Sequence, residues 1–447
     1  MALGSQKSEV SAVSDLTGLL HEVYAGEVKP AVKATSVVSQ LFTNAGRGQY
    51  RIDGEKLVGA TDLTYAGQAM HTAGMLPDHQ EIDAVEWETT PTRAYRRGAI
   101  DNFVQRRGIR GPGSFGDLLT RLFDQMWDAF RRLEIRSAIG GSTGIMCLTS
   151  ARTSTTVIVM KDGYNHTGMG PCLHMEAGIT LAWLDVDNSY AVGGSGVISS
   201  IAYNTSATTS TVTFAASIEN GSGTPTIAAG DPWVMATTTP YSTDYFATSY
   251  NVARQGLMDI VDPGAANTTT MGISTTTYPR WAPVRQASGT FDHIEITEHH
   301  QVLAAKSTDV VTAQSHVCVM SPAVLAELAR TLEGFQLQND ALGRTFEGGW
   351  QAVKIAQMDM VADPWMIHNV LYTLCLECLY NVDLGGEPDY FDEDGSMFSR
   401  IGDFDGKEWY IADYRQWFSD RRNRHAALTG ITLSNVTASD FDPVPNL

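Results

Sequence analysis

The apolar positions between Ser114 and Ile139 recur at helical spacing. Phe115, Leu118, Leu119, Leu122, Phe123, Met126, Phe130 and Leu133 fall at three- and four-residue steps and form one stripe. Ser114 is placed to cap the first turn, with Asp117 three residues on as a shortened capping box. Gly140 and Gly141 follow as the stop, where a left-handed residue is expected. At 1.5 Å per residue the predicted rod is roughly 35–40 Å long. Trp127 widens its buried face. Such a rod in a strand-rich chain suggests a spine on which strands are laid.

Elsewhere the pattern is mostly of period two. Residues 1–45 read as an arm, with short amphipathic pieces at Leu16–Val23 and Val37–Phe42 expected to pack on something other than their own domain. Gln49–Arg97 reads as a long extended hairpin. Ala84–Tyr95 alternates as a strand, and Pro91 demotes it to an edge or a kinked one. Strands are expected at Thr155–Lys161 and Gly178–Val186. Residues 187–240 form a Thr-, Ser- and Gly-rich block that reads as a separate β-module, with Gly193–Gly196 as the loop leading into it. Residues 241–290 hold little regular pattern. A helix is expected near Thr297–Ser307 and another at Pro322–Leu332, where Ser321 caps and Pro322 takes the first position. Ala352–Met360 and Val370–Val382 read as strands, and residues 407–432 as a closing strand pair or a strand and basic turn before a tail. The class is α+β.

Composition narrows the function. The chain has 447 residues and a formal net charge of −19. That balance argues against a protein whose main task is gripping nucleic acid, where affinity comes from neutralised phosphates. Five irregularly spaced Cys make no disulfide framework, so a reducing compartment is expected. No signal-peptide pattern and no apolar run of membrane-spanning length occurs, so the expectation is a soluble, cytoplasmic product.

Candidate chemistry is sparse. Gly140–Gly144 (GGSTG) matches a nucleophile elbow in letters, but Ser142 follows a helix and precedes a strand, the inverse of the required context. Cys375 and Cys378 have redox or half-zinc spacing, yet on a strand they would point to opposite faces. His166, Cys172 and His174, with His299 and His300, form no convincing zinc set, and the acidic run Asp389–Asp394 fails the calcium-loop register. Triplets such as those at Asn204 and Asn435 mean little without secretion. No catalytic residue, cofactor or metal is expected, and shape and self-assembly become the candidate function.

Taken in order, the pieces resemble a tailed-bacteriophage major capsid protein, the fold shared with encapsulins and the herpesvirus capsid floor. The resemblance runs from about residue 45 to 432. It rests on the extended hairpin ahead of the long helix, on Gln255–Val284 (QGLMDIVDPGAANTTTMGISTTTYPRWAPV), and on Cys318–Gly334 (CVMSPAVLAELARTLEG). The closing stretch Asp394–Ile431 and the block containing AAGDPWV add to it. It implies an N-terminal arm (1–45), an extension loop (46–100), a peripheral domain with spine helix (101–139) and an apical domain in two parts (140–186 and 241–395). The inserted β-module (187–240) and the peripheral closing strands with the tail (396–447) complete it. It implies pentamers and hexamers of the chain tiled into an icosahedral shell that encloses DNA without reading its sequence. A separate scaffolding protein, a portal and a decoration protein are the implied partners, with assembly in the host bacterial cytoplasm, residence in the virion and no membrane. The split charges of the loop suggest contacts between subunits: Glu81, Asp83, Glu86 and Glu88 on one side, Arg93, Arg96, Arg97, Arg106, Arg107 and Arg110 on the other. Lys56 is the one Lys of the loop, but no partner Asn for a family-type crosslink can be matched to it. Competing readings are an encapsulin-like compartment, a tail-tube or baseplate protein, and a hydrolase using Ser142, His166 or His174.

Overall fold

The computed structural model describes residues 36–43, 49–51, 56–62, 84–101, 115–162, 175–203, 209–218, 226–238, 246–248, 251, 253–261, 269–307, 311–312, 315–332, 344–345, 351–355, 358–384, 389–390, 398–400 and 405–434. Four helices are labelled in chain order: α1 (Val37–Thr43), α2 (Phe115–Ile139), α3 (His293–Ser307) and α4 (Pro322–Leu332). The predicted spine helix and the Pro322 helix are both present at or within one residue of their expected bounds. Ser321 Oγ accepts the Val324 amide at 3.3 Å, as a cap should. α3 begins earlier than expected because Asp292 caps it, its Oδ1 accepting the Glu295 amide at 2.8 Å.

Among the described residues, three large sheets and two two-stranded ones accompany these helices. The first is built on the 14-residue strand Gly406–Ser419, which pairs with Thr92–Asp101 over a full ten-residue antiparallel register, Gly406↔Asp101 to Arg415↔Thr92. Leu379–Asp383, Asp389–Tyr390 and Ser399–Arg400 also pair with it, and Gln49–Arg51 adds in parallel to Leu379–Asp383. The face of Gly406–Ser419 toward α2 carries Trp409 and Ile411, which pack with Ile100, Met126 and Phe130. Here the described part of the stripe of α2, Leu122 to Phe130, does what its spacing implies.

The second sheet has seven strands in the order Val284–Ala287, Ala426–Thr429, Val370–Cys375, His316–Met320, Met358–Ala362, Gln351–Ile355, Arg344–Thr345. One face is covered by Ile296 of α3 and by Val324 and Leu328 of α4. The other receives the end of α2 (Ile135, Ala138, Ile139) and all of α1's apolar side (Val37, Val38, Phe42). The expectation that Val37–Phe42 packs away from its own domain is therefore wrong. Phe42 stacks on Trp417 at 5.0 Å, and Asp363 accepts both the Ser36 hydroxyl and the Val38 amide (2.9 Å), so α1 is capped by its own core.

In the third sheet, Ile145–Arg152, Val157–Asp162, Thr209–Phe214, Ala191–Tyr203, Thr180–Asp185 and Pro232–Thr238 follow one another. Pro232–Thr238 pairs with both Ile145–Arg152 and Thr180–Asp185, which closes the ring into a small barrel, with Phe246–Thr248 attached outside. The expected separate module over 187–240 does not stand alone: its strands share this barrel with strands from residues 145–185. Nor is Gly193–Gly196 a loop. It lies inside Ala191–Tyr203, where a Cβ on Gly193 would stand 2.2 Å from the Trp183 indole. Trp183 and Trp233 fill the interior, and Phe214 stacks on Trp233 at 5.2 Å.

A further correction concerns strand continuity. Val370–Val382 splits at the 3-10 turn Leu376–Cys378, so its halves enter different sheets. Residues 407–432 form no strand pair but the other expected arrangement, a strand and a basic turn: Gly406–Ser419 lies in the first sheet, the 3-10 turn Arg422–Arg424 follows, and Ala426–Thr429 joins the second. Gly140 and Gly141 end α2 without a left-handed φ. Gly144 takes it instead, at 69°.

Candidate functional site

Ser142 sits between α2 and Ile145–Arg152, and its amide donates to Asp259 Oδ2. His299 and His300 lie on α3 as buried neutral residues. His299 Nδ1 lies 3.2 Å from Gln286 Oε1, and His300 Nε2 lies 3.3 Å from Cys318 Sγ. Burial pushes their pKa values down to about 3 and about 4. His425 Nδ1 accepts the Cys375 amide at 3.1 Å, so its proton is on Nε2, which donates to Ser419 Oγ at 2.8 Å. That tautomer is the wrong one for a base acting on the serine. Among the described residues no three His, Cys, Asp or Glu side chains group as metal ligands. No helix among them is long and apolar enough to cross a membrane. His166, Cys172, His174, Asn204 and Asn435 lie outside the described residues, as does most of Asp389–Asp394.

Cys375 and Cys378 require a correction. A straight strand would part them, but the 3-10 turn brings their Sγ atoms to 2.9 Å, both buried.

The charged face is built by the hairpin Leu57–Asp62 with Ala84–Thr89 and by the strand Thr92–Asp101. Alternation puts Trp87 and Thr89 inward and Glu86 and Glu88 outward. Trp87 packs with Met271, Ile273, Trp281, Val382 and Phe418, which seats the hairpin base on the body of the protein. Lys56 Nζ meets Glu88 Oε2 at 2.6 Å with both side chains more than half exposed, a contact of small energetic weight. Arg93 and Arg96 are exposed. Arg97 differs: its guanidinium is held by Glu408 of the same chain at 2.7 Å, and both are largely buried. Glu81, Asp83, Arg106, Arg107 and Arg110 lie outside the described residues.

Sequence reasoning missed a buried charge network behind this face. Arg254 and Arg415 both engage Asp413, and Arg415 also engages Glu134 of α2. Asp413 is fully buried and Arg254 nearly so. Burial lifts the Glu134 carboxyl above its usual range, with Arg415 and Arg254 pulling against it. Removing one member of such a network leaves an uncompensated charge, a loss of about 3–5 kcal/mol. The network fixes α2 against the strand Gly406–Ser419 and the segment before Leu257–Ile260. Its signal was legible in IADYRQWF: two opposite charges on the buried face of an aromatic strand.

No protein-family model matches the chain, and no curated protein matches it in sequence. Solved structures do match in shape. A capsid chain of cyanophage A-1(L) overlays with a TM-score of 0.54 at 10% identity, covering 94% of this chain and 98% of that one. The encapsulin of a holo-SrpI complex from Synechococcus elongatus gives 0.46 at 6% identity, covering 96% and 98%. The capsid of Ralstonia phage GP4 gives 0.44 at 10%, covering 95% and 98%. At these identities the likeness is one of fold, and the cyanophage overlay is the one of the three above 0.5.

Proposed function

We propose, from a chain with the fold of tailed-phage capsid proteins, that it is a major capsid protein: a structural, non-enzymatic subunit that assembles into an icosahedral shell of pentamers and hexamers around DNA. The observation that carries this is the near end-to-end overlay on the cyanophage A-1(L) capsid chain. In this reading the sheet on Gly406–Ser419 together with α2 is the peripheral domain, and the sheet flanked by α3 and α4 belongs to the apical domain. The barrel of strands between Ile145 and Thr248 forms a third unit beside them. A net charge of −19 fits a shell wall along which DNA must move without sticking. The exposed Glu86, Glu88, Arg93 and Arg96, with Glu81, Asp83, Arg106, Arg107 and Arg110, are proposed to meet neighbouring subunits. Arg97 is engaged by Glu408 of its own chain. A scaffolding protein, a portal and a decoration protein are the proposed partners, with assembly in the host cytoplasm.

Electron microscopy of the expressed full chain, with and without its genomic neighbours, tests this. Uniform closed shells are expected. Rings, tubes or discrete small oligomers in both conditions would overturn the proposal.

A further inference from the structure

The crossover between the two large sheets carries a pair of thiols that the shell reading does not use. Cys375 ends the strand Val370–Cys375 of the seven-stranded sheet, and Cys378 closes the 3-10 turn Leu376–Cys378. The next residue, Leu379, opens the strand that enters the sheet on Gly406–Ser419. The turn therefore joins two independently hydrogen-bonded sheets, and it folds the two sulfurs together at 2.9 Å.

We propose that Cys375 and Cys378 are a redox modification site: a dithiol that a peroxide converts to an intrachain disulfide across this turn. The surroundings set the order of events. The Cys378 thiol donates to the Cys375 sulfur, which holds Cys375 below the usual thiol range, while Cys378 itself is raised by that bond and by burial. Cys375 is the sulfur primed to react first. Its thiolate attacks one oxygen of hydrogen peroxide and the O–O bond breaks. The departing hydroxide takes up from solvent the proton that Cys375 released on forming its thiolate and leaves as water, and Cys375 becomes a sulfenic acid. The Cys378 sulfur then attacks the sulfenic sulfur and the S–O bond breaks. The second hydroxide leaves with the Cys378 proton as water. Two thiols are oxidised by two electrons, one peroxide is reduced to two waters, and the balance closes. Glu377, between the two cysteines, is exposed, so the turn lies at the surface even though both sulfurs face inward.

The other described thiols lack this arrangement. Cys147 lies against Met160 Sδ at 3.3 Å. Cys318 lies between His300 and Thr373, and burial pushes its thiol up to about 12. A ring this short removes little unfolded-state entropy, so the disulfide's effect is to fix the turn between the sheets. The chemistry stands without the shell reading. Only its timing, thiols kept in a reducing cytoplasm and oxidised after release, rests on that reading.

The test uses the purified full chain, treated with hydrogen peroxide, then unfolded, alkylated with iodoacetamide and mapped by mass spectrometry. The peptide holding Cys375 and Cys378 is expected to lose both alkylation sites and two hydrogens, and to recover both sites after dithiothreitol. Cys147 and Cys318 should alkylate fully throughout. In Cys378→Ser the chain cannot resolve the intermediate, and a dimedone adduct at Cys375 is expected instead. Full alkylation of both thiols after peroxide, or a bond to any other cysteine, would overturn the proposal. Neither readout depends on shells forming.

Discussion

At the scale of single residues, the histidines are the groups whose chemistry the fold has most altered. His299, His300 and His425 are held neutral by burial, with pKa values of about 3, about 4 and about 3 against an ordinary 6.5. His316 lies close enough to His300 and His425 to disfavour their charging, and Arg422 and Arg424 act on His425 in the same sense. In acid the unfolded chain binds protons that the folded chain refuses, so stability falls as pH drops below about 6.5. Each histidine contributes a loss on the order of 1–2 kcal/mol by pH 5. The buried carboxyls of Glu134 and Asp363 are raised and act in the opposite sense, so the histidine part must be isolated by a variant. Thermal unfolding of wild type and His300→Gln at pH 7 and pH 5 does this. The drop in Tm should be smaller in the variant, and equal drops would contradict the assignment. The sequence left the adjacent His299 and His300 without a role, since they made no convincing zinc set. Only the side-chain environment, invisible in the letters, makes them core residues.

At the scale of elements, local signals were read well and partner-dependent ones were not. The stripe of α2 and the Ser321–Pro322 start of α4 are encoded by neighbours in sequence, and both helices stand where that coding puts them. Val370–Val382 is apolar almost throughout, and a continuous run carries no period to mark a break. The 3-10 turn at Leu376–Cys378 exists because each half is claimed by a different sheet. The end of α2 is set in the same non-local way. A Cβ on Gly256 would lie 2.2 Å from the Ser137 carbonyl oxygen and 2.4 Å from that of Gly140, and the Met258 amide donates to Gly140 O at 3.1 Å. The segment before Leu257–Ile260 thus closes over the last carbonyls of the helix, which otherwise lack partners. These obstacles, with the Ala138 carbonyl oxygen at 2.7 Å, are all backbone atoms, so Gly256→Ala must displace a whole segment. It should lose clearly more stability than Gly178→Ala, whose φ of +91° is strained but whose surroundings are open, at roughly 1–2 kcal/mol. Urea midpoints of the two variants rank them, and a Gly256→Ala protein as stable as Gly178→Ala would refute the close approach.

At the scale of the whole molecule, the order of pieces was legible and their bookkeeping into sheets was not. Ala426–Thr429 lies a few residues past Gly406–Ser419 yet joins Val284–Ala287 and Val370–Cys375. Composition cut the barrel at residue 187 because the Thr- and Ser-rich strands begin there, although hydrogen bonding runs back to Ile145. The same distinction between letters and partners divides the arginines of the loop. All of them look alike in sequence, but Arg97 is held by Glu408 inside the chain, whereas Arg93 and Arg96 are exposed. If the exposed pair sets the register of neighbouring subunits, its charges act between chains and leave the folding of one chain nearly untouched. Arg93→Ala combined with Arg96→Ala should therefore keep the subunit's unfolding midpoint while lowering the yield of closed shells on a gradient. Raised salt should lower the wild-type yield in the same direction, because exposed charges are screened. Arg97→Ala should do the reverse first: it strands a largely buried Glu408 and lowers subunit stability by about 1.5–3 kcal/mol. A normal shell yield from the double variant would remove Arg93 and Arg96 from the interface. An unfolding loss in the double variant equal to that of Arg97→Ala would mean that their charges, too, serve the fold of the single chain.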